Sequence, residues 1–167
     1  MIDILKNFFR LLALILLQVL VFNRIEISMF LSPMIMVLFI ISAPFTNHKW
    51  LILISSFALG LSVDLFMNTP GILSFTAVAI AYIRPFVLRA LQPREGYAIN
   101  DRPKAVDLGW AWFSRYAVIL TVLFHLLYFI ILAFSQDNFL IIIWKTIISS
   151  AFTLIFIFIF QLLSFEK

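Results

Sequence analysis

Three ionisable residues lie well inside long apolar stretches and are the first candidates for chemistry: Asp64, Arg84 and Lys145. A charged group inside a membrane span costs several kcal/mol unless it is paired or reaches the interface, so each is a candidate functional residue. His125 also lies in an apolar stretch. A proton relay needs several ionisable groups in a chain, so an interhelical hydrogen bond is the favoured interpretation of His125 and of Gln18.

The other residue types give little support for a catalytic or metal site. The chain has no cysteine, which excludes thiol nucleophiles and thiolate metal sites, and two histidines, His48 and His125, are too few for a zinc site of usual composition. No Gly-rich phosphate loop, Ser/His/Asp set or carboxylate pair is present. We therefore expect no enzyme activity, no cofactor and no metal.

The composition indicates a membrane protein. The 167 residues are 64% hydrophobic and 12% charged, whereas ordinary soluble domains have about 45–50% and about 25%. Because a span takes about 20 apolar residues, the apolar stretches predict an all-α, polytopic fold with six transmembrane helices in one domain over residues 1–167. The predicted helices cover about 7–22, 29–45, 50–67, 72–91, 113–134 and 139–163. Ser32 followed by Pro33 is typical of a helix start, so the second helix is expected to begin late and be short.

The distribution of lysine and arginine predicts the orientation. Six spans place both termini on one side, and the excess of cations on that side indicates that it is cytoplasmic. A cleaved signal peptide is the alternative for the first helix, but no small-x-small site follows Val21. The net charge of +4 is explained by these loop cations rather than by a nucleic-acid-binding face.

The longest connection, residues 92–109, is predicted to be a cytoplasmic loop. It carries Arg94, Arg102 and Lys104 and is the expected contact for a cytoplasmic protein, with a simple solvated loop as the alternative. The interleaved acidic residues argue against a purely polybasic patch for lipid.

Two stripes of small or charged residues, each spaced by four, are predicted to meet across antiparallel helices. They are Ser56, Gly60 and Asp64 on the third helix, and Lys145, Ser149 and Thr153 on the sixth. One hypothesis is a buried ion pair between Asp64 and Lys145 beside a close contact of small residues. The alternative is that Asp64 caps the outer helix end while Lys145 extends outward to the interface.

Arg84 has its own alternatives. It precedes Pro85, which removes a backbone donor and frees a carbonyl one turn earlier. Arg84 either satisfies that carbonyl region, reaches the cytoplasmic headgroups beside Arg89, or binds an acidic partner or a lipid phosphate.

Several of these residues fall in segments that resemble a known family. Residues 57–66 (FALGLSVDLF), with Pro70, Gly71 and Tyr82 at similar spacing, resemble the MreD family of rod shape-determining proteins. Residues 84–89 (RPFVLR) and 93–97 (PREGY) are similar to its Bacteroides-type branch. The resemblance covers nearly the whole chain, together with its length and layout.

The resemblance implies a non-catalytic scaffold of the bacterial inner membrane that helps to maintain cell shape. It implies action with MreC, with MreB filaments, and with the glycosyltransferase and transpeptidase that extend peptidoglycan. On these family positions Gly60 would allow a close helix contact, Asp64 would fix its register or hold a partner, and Gly71 would make the turn. Ser56 and Tyr82 complete the expected contact set.

Two alternative functions remain at this point. The family's fold is thought to resemble the substrate-binding subunits of energy-coupling-factor vitamin transporters, so a transporter subunit is the first alternative. Such a subunit needs a polar pocket near its outer face. The second is a structural scaffold that sorts lipids or fixes curvature and has no specific protein partner.

Overall fold

The computed structural model describes residues 12–20, 31–45, 48–97, 102–133 and 138–163, and these ranges contain helices and no strand. The helices are α1 (12–20), α2 (Val37–Ile41), α3 (Lys49–Met67), α4 (Ile72–Ala90), α5 (Ala105–Leu108), α6 (Trp110–Leu132) and α7 (Phe139–Leu163). The predicted all-α class is confirmed for this part of the chain.

Four helices are long and apolar enough to cross a membrane, namely α3, α4, α6 and α7, with 19, 19, 23 and 25 residues. At 1.5 Å per residue, α7 is about 37 Å long, against a hydrocarbon core of about 30 Å. The protein is therefore a membrane protein. Six spans and cytoplasmic termini stay predictions, and residues 1–11, 21–30 and 164–167, which include both termini and parts of the first two predicted helices, lie outside the described ranges.

The second predicted helix, about 29–45, is wrong in extent. Within its described part, 31–45, only Val37–Ile41 is helical. Pro33 lacks an amide donor, and a residue before proline is disfavoured in helical geometry, so helix cannot run through Ser32 and Pro33 without a cost. The expectation of a late start and a short length is correct, although the helix begins four residues later than the Ser-Pro pattern indicates.

The long helices pack as a chain of neighbours. α3 packs against α4, α4 against α6, and α6 against α7, while the short α2 contacts α3, α4 and α6. All five residues of α2 are buried. The bundle has two ends. We call them the turn end, where residues 68–71 join α3 to α4, and the loop end, where residues 91–109 join α4 to α6.

At the turn end, two residues in the left-handed region reverse the chain. Asn68 has φ +53° and Gly71 has φ +78°. Glycine adopts such angles without a steric penalty, and asparagine tolerates them better than most residues. The predicted turn at Gly71 is confirmed, and it places α4 directly beside α3.

At the loop end, aromatic side chains bind the last carbonyls of α4. The Tyr97 hydroxyl donates to the Leu88 carbonyl at 2.7 Å, and Trp112 Nε1 donates to the Leu91 carbonyl at 2.8 Å. These carbonyls have no amide partner within α4. Burial raises the pKa of the Tyr97 phenol above its usual value, which favours the protonated form that donates.

The predicted loop contacts lie close to this anchored segment. Arg94 and Arg102 are exposed, and Lys104 is half-buried. The amide of Arg102 donates to the Asp107 carboxylate at 3.0 Å. The described part of the loop, residues 92–97 and 102–109, therefore makes contacts of its own, and its two arginines are exposed.

Gly60 lies at a close contact between α3 and α4. A Cβ at this position would be 2.5 Å from the Ser74 Cα and 2.8 Å from the Leu73 carbonyl oxygen. Both atoms belong to backbone, which cannot rotate aside as a flexible side chain does. The expected close contact at Gly60 is present, but its partner helix is α4 and not the helix that carries Lys145.

We expect Gly60→Ala to lower the free energy of unfolding by about 1–3 kcal/mol, because the added methyl group forces α3 and α4 apart. Denaturant titration of the protein in detergent micelles measures this loss. Ala58→Leu is the matched control, since Ala58 is exposed on the same helix and should tolerate the added volume. Equal stability of Gly60→Ala and the unmodified protein would contradict the close packing.

Candidate functional site

Asp64 binds the first residues of the neighbouring helix α4. Its carboxylate accepts hydrogen bonds from the Thr69 hydroxyl at 2.5 Å, the Leu73 amide at 3.0 Å, and both the amide and hydroxyl of Ser74 at 2.8 and 2.6 Å. The first amides of a helix have no partner within it, and the helix dipole favours a negative charge there. Asp64 therefore caps the start of α4, whereas the sequence-based alternative was that it caps the end of its own helix, α3.

The predicted meeting of two residue stripes is wrong. α3 packs against α4, and α7 packs against α6, so the stripe on α3 does not face the stripe on α7. Lys145 lies half-buried on α7. On α3, Ser56 is buried, and its hydroxyl has no hydrogen-bond partner among the residues that the structure describes. The short turn at residues 68–71 makes α3 and α4 neighbours, which leaves α7 to pack elsewhere.

The stripe on α7 binds residues 31–36, which we call the buried segment. The amide of Ser32 donates to the Ser149 hydroxyl at 3.1 Å, and the amide of Met34 donates to the Thr153 hydroxyl at 3.2 Å. Both α7 side chains are fully buried. Irregular backbone at membrane depth is tolerated only where protein groups replace the missing helical partners. Ser149 and Thr153 supply these partners.

Gln18 on α1 binds the same segment from another side. Its Nε2 donates to the Pro33 carbonyl at 3.0 Å, and its Oε1 accepts from the Met36 amide at 3.4 Å. The amide side chain of Gln18 thus donates to one backbone group and accepts from another that lies three residues further along the chain. The expected hydrogen-bonding role of Gln18 is confirmed.

His125 completes this network from α6. Its Nδ1 lies 2.9 Å from the Thr121 carbonyl, and its Nε2 lies 3.2 Å from the Thr153 hydroxyl. A carbonyl only accepts, so Nδ1 carries the hydrogen and donates to it. Nε2 contacts the Thr153 hydroxyl on α7, so His125 makes the expected interhelical hydrogen bond.

Arg84 binds the end of α2 rather than an acid. Its Nε donates to the Tyr116 hydroxyl at 2.7 Å, and its Nη2 donates to the Ala43 carbonyl. Tyr116 in turn donates to the Ile41 carbonyl at 3.1 Å. The side chain is 4% exposed, so the outward-reaching interpretation is wrong. A positive charge at the C-terminal end of a helix is favourable because of the helix dipole.

Tyr82 lies apart from these contacts. Its side chain is 62% exposed and faces away from the bundle, with its ring 5.9 Å from the ring of Phe86. Among the predicted contact residues, Gly60, Asp64 and Gly71 meet at the α3–α4 hairpin, whereas Tyr82 lies on the outer surface of α4.

The sequence gives little sign that the buried segment is a centre of contacts. One indication was present, because Ser32 and Pro33 interrupt an apolar stretch that would otherwise continue as helix. Three polar residues in other apolar stretches bind it, namely Gln18, Ser149 and Thr153, and His125 in turn binds Thr153. Which backbone groups they bind depends on the packing of distant helices.

Comparison with known proteins identified no family model, no curated protein and no solved structure that matches this chain. The function is therefore argued from the contacts. Asp64, Arg84 and the polar residues around the buried segment all bind backbone atoms of the same chain. Their chemistry in this arrangement is hydrogen bonding that fixes helix positions.

We expect Asp64→Ala and Ser74→Ala to be non-additive in a double-mutant cycle, with a coupling of about 1 kcal/mol, because the two side chains share a buried hydrogen bond. Denaturant titration of the four proteins gives the coupling. Ser62→Ala paired with Asp64→Ala is the control, since the Ser62 hydroxyl donates to the Ala58 carbonyl of its own helix. A coupling at Ser74 no larger than at Ser62 would contradict the capping role.

We expect Thr153→Val to destabilise the protein by about 1–3 kcal/mol, because it leaves the Met34 amide without an acceptor. Hydrogen exchange at residues 31–36 should accelerate in the same variant. Thr76→Val is the control: Thr76 is also fully buried, but its hydroxyl bonds only the Ile72 carbonyl of its own helix. Unchanged exchange at the buried segment in Thr153→Val would contradict this assignment.

Proposed function

We propose that this protein is a non-catalytic scaffold of the bacterial inner membrane that takes part in cell elongation. It would act with MreC, with MreB filaments, and with the glycosyltransferase and transpeptidase of lateral peptidoglycan synthesis. The proposal rests on the resemblance of residues 57–66, 84–89 and 93–97 to the MreD family and on the hydrogen bonds that the buried polar residues make.

The first support is that the buried polar side chains have structural partners. Asp64 accepts four hydrogen bonds from the turn and from α4. Arg84 and Thr153 bind backbone groups on either side of α2. These side chains are used in hydrogen bonds that hold the helices together. The protein would therefore contact its partners through the outer surfaces of its helices.

The observation that carries the proposal is the outward face of α3. Small residues, Ser55, Ala58 and Ser62, recur along this half of the helix, and Ala58 is exposed. The hydroxyls of Ser55 and Ser62 donate to carbonyls of their own helix, so they present little polarity to a neighbour. Small residues on a lipid-facing surface allow the backbone of a second helix to approach closely.

The opposite face of α3 is held in place. Gly60 packs on the backbone of α4, and Asp64 binds the start of that helix. The outward face is flanked by large exposed hydrophobic side chains, Ile54, Phe57, Leu61 and Leu65. A preorganised surface of this kind loses little conformational entropy on binding. It suits a single transmembrane helix, and we assign it to the membrane helix of the bitopic partner MreC.

We expect Ala58→Leu to abolish most recovery of MreC when the protein is purified at its natural level in mild detergent, because the larger side chain blocks close approach of a helix. Mass spectrometry of the purified complex is the measurement. Ala151→Leu is the matched control, since Ala151 is an exposed alanine on α7. Thermal unfolding of both variants should match the unmodified protein.

Two results would contradict the proposal. Full recovery of MreC with Ala58→Leu would exclude this face as the contact. Recovery of paired ATPases and a coupling membrane subunit in place of MreC would instead identify a transporter subunit. At the turn end, the Asp64 carboxylate already accepts four hydrogen bonds from Thr69 and α4, so it has little capacity left to bind a transported molecule.

A further inference from the structure

A groove opens at the loop end between α3 and α4. Its volume is about 420 Å³, and its walls include three cationic side chains, Lys49, Arg84 and Arg89. None of the described residues that line it is a carboxylate. Three cations without an acid around one groove create a strong local preference for an anion.

The cations are placed for a ligand at the level of the lipid headgroups. Lys49 is the first residue of α3, and Arg89 lies in the last turn of α4. Both are exposed. Trp50, which is 58% exposed beside Lys49, is a residue type enriched at the membrane interface. This end of the groove therefore lies where phosphate groups of the bilayer are found.

Arg84 extends the positive charge into the protein. Its hydrogen bonds to Tyr116 and Ala43 use Nε and Nη2. The two N–H groups on Nη1 take part in neither bond, and the side chain lines the groove. Arginine has five N–H donors that suit phosphate oxygens. Arg84 can therefore bind the end of α2 and contribute to an anion site at the same time.

One wall of the groove is largely apolar and exposed toward the bilayer. Leu53, Pro85, Tyr82 and Phe86 line it, and the last two are 62% and 55% exposed on the outer side of α4. An acyl chain packs against such side chains without losing contact with lipid. Inorganic phosphate would bind only to the cations and would make no contact with this apolar wall, so the groove suits a phospholipid better.

We propose that the groove binds one acidic phospholipid. Its phosphate lies between Lys49 and Arg89, with the charge of the buried Arg84 in the groove wall, and an acyl chain lies along Tyr82 and Phe86. Basic pockets between membrane helices bind anionic headgroups by this combination of charge and apolar surface. The inference is independent of the proposed role in cell elongation, because it requires no protein partner.

Native mass spectrometry of the full chain tests this site. The protein is released from nanodiscs of phosphatidylcholine that contain a minor share of phosphatidylglycerol, and the retained lipid is identified. We expect selective retention of phosphatidylglycerol, and a loss of about tenfold or more in Lys49→Gln/Arg89→Gln, because each removed cation weakens binding to an anionic lipid.

Arg115→Gln is the control. Arg115 is exposed near the loop end of α6 and does not line the groove, so the variant removes one positive charge, against two in the double variant, and should preserve retention. Excess inorganic phosphate should not displace the lipid.

Three results would overturn the proposal. The first is unchanged retention in Lys49→Gln/Arg89→Gln. The second is an equal loss in Arg115→Gln, which would indicate a general charge effect. The third is displacement by inorganic phosphate, which would identify a plain anion site. The Lys49 and Arg89 side chains are exposed, so unfolding of the double variant is not expected, and its thermal unfolding checks this.

Discussion

Backbone amides and carbonyls that leave helical geometry inside a membrane protein must find protein partners, because lipid supplies none. The buried segment at residues 31–36 imposes this constraint on the whole bundle. Its amides and carbonyls are bound by Gln18 from α1 and by Ser149 and Thr153 from α7, while His125 from α6 binds Thr153. Helices that are far apart in the chain are therefore held in register around a few backbone atoms.

The α3–α4 hairpin obeys the same rule at the turn end. The first amides of α4 would be unpaired, and Asp64 binds two of them. Because Gly60 has no side chain, the helices come close enough for this contact. The geometry of this hairpin thus depends on a carboxylate and a glycine one turn apart, and it leaves the other side of α3 for lipid or for a partner helix.

At the loop end, Arg84 has a structural role and, in the proposed lipid site, a binding role. Arg84 binds the end of α2 directly and through Tyr116, and it also lines the cationic groove. A phosphate in that groove would compensate a positive charge that the described residues leave without an acidic neighbour. Occupancy of the groove and the position of α2 are then linked through a single side chain.

The sequence by itself determined the all-α membrane class, four of the long helices within a few residues, the turn at Gly71 and the close approach at Gly60. These features follow from hydropathy over about 20 residues and from backbone sterics at single positions. Only the tertiary structure decided that Asp64 caps α4, that α2 is five residues long and that Arg84 binds Ala43. Thr153 and Met34 are 119 positions apart, and a local pattern contains no information on which distant helix will supply a hydrogen bond.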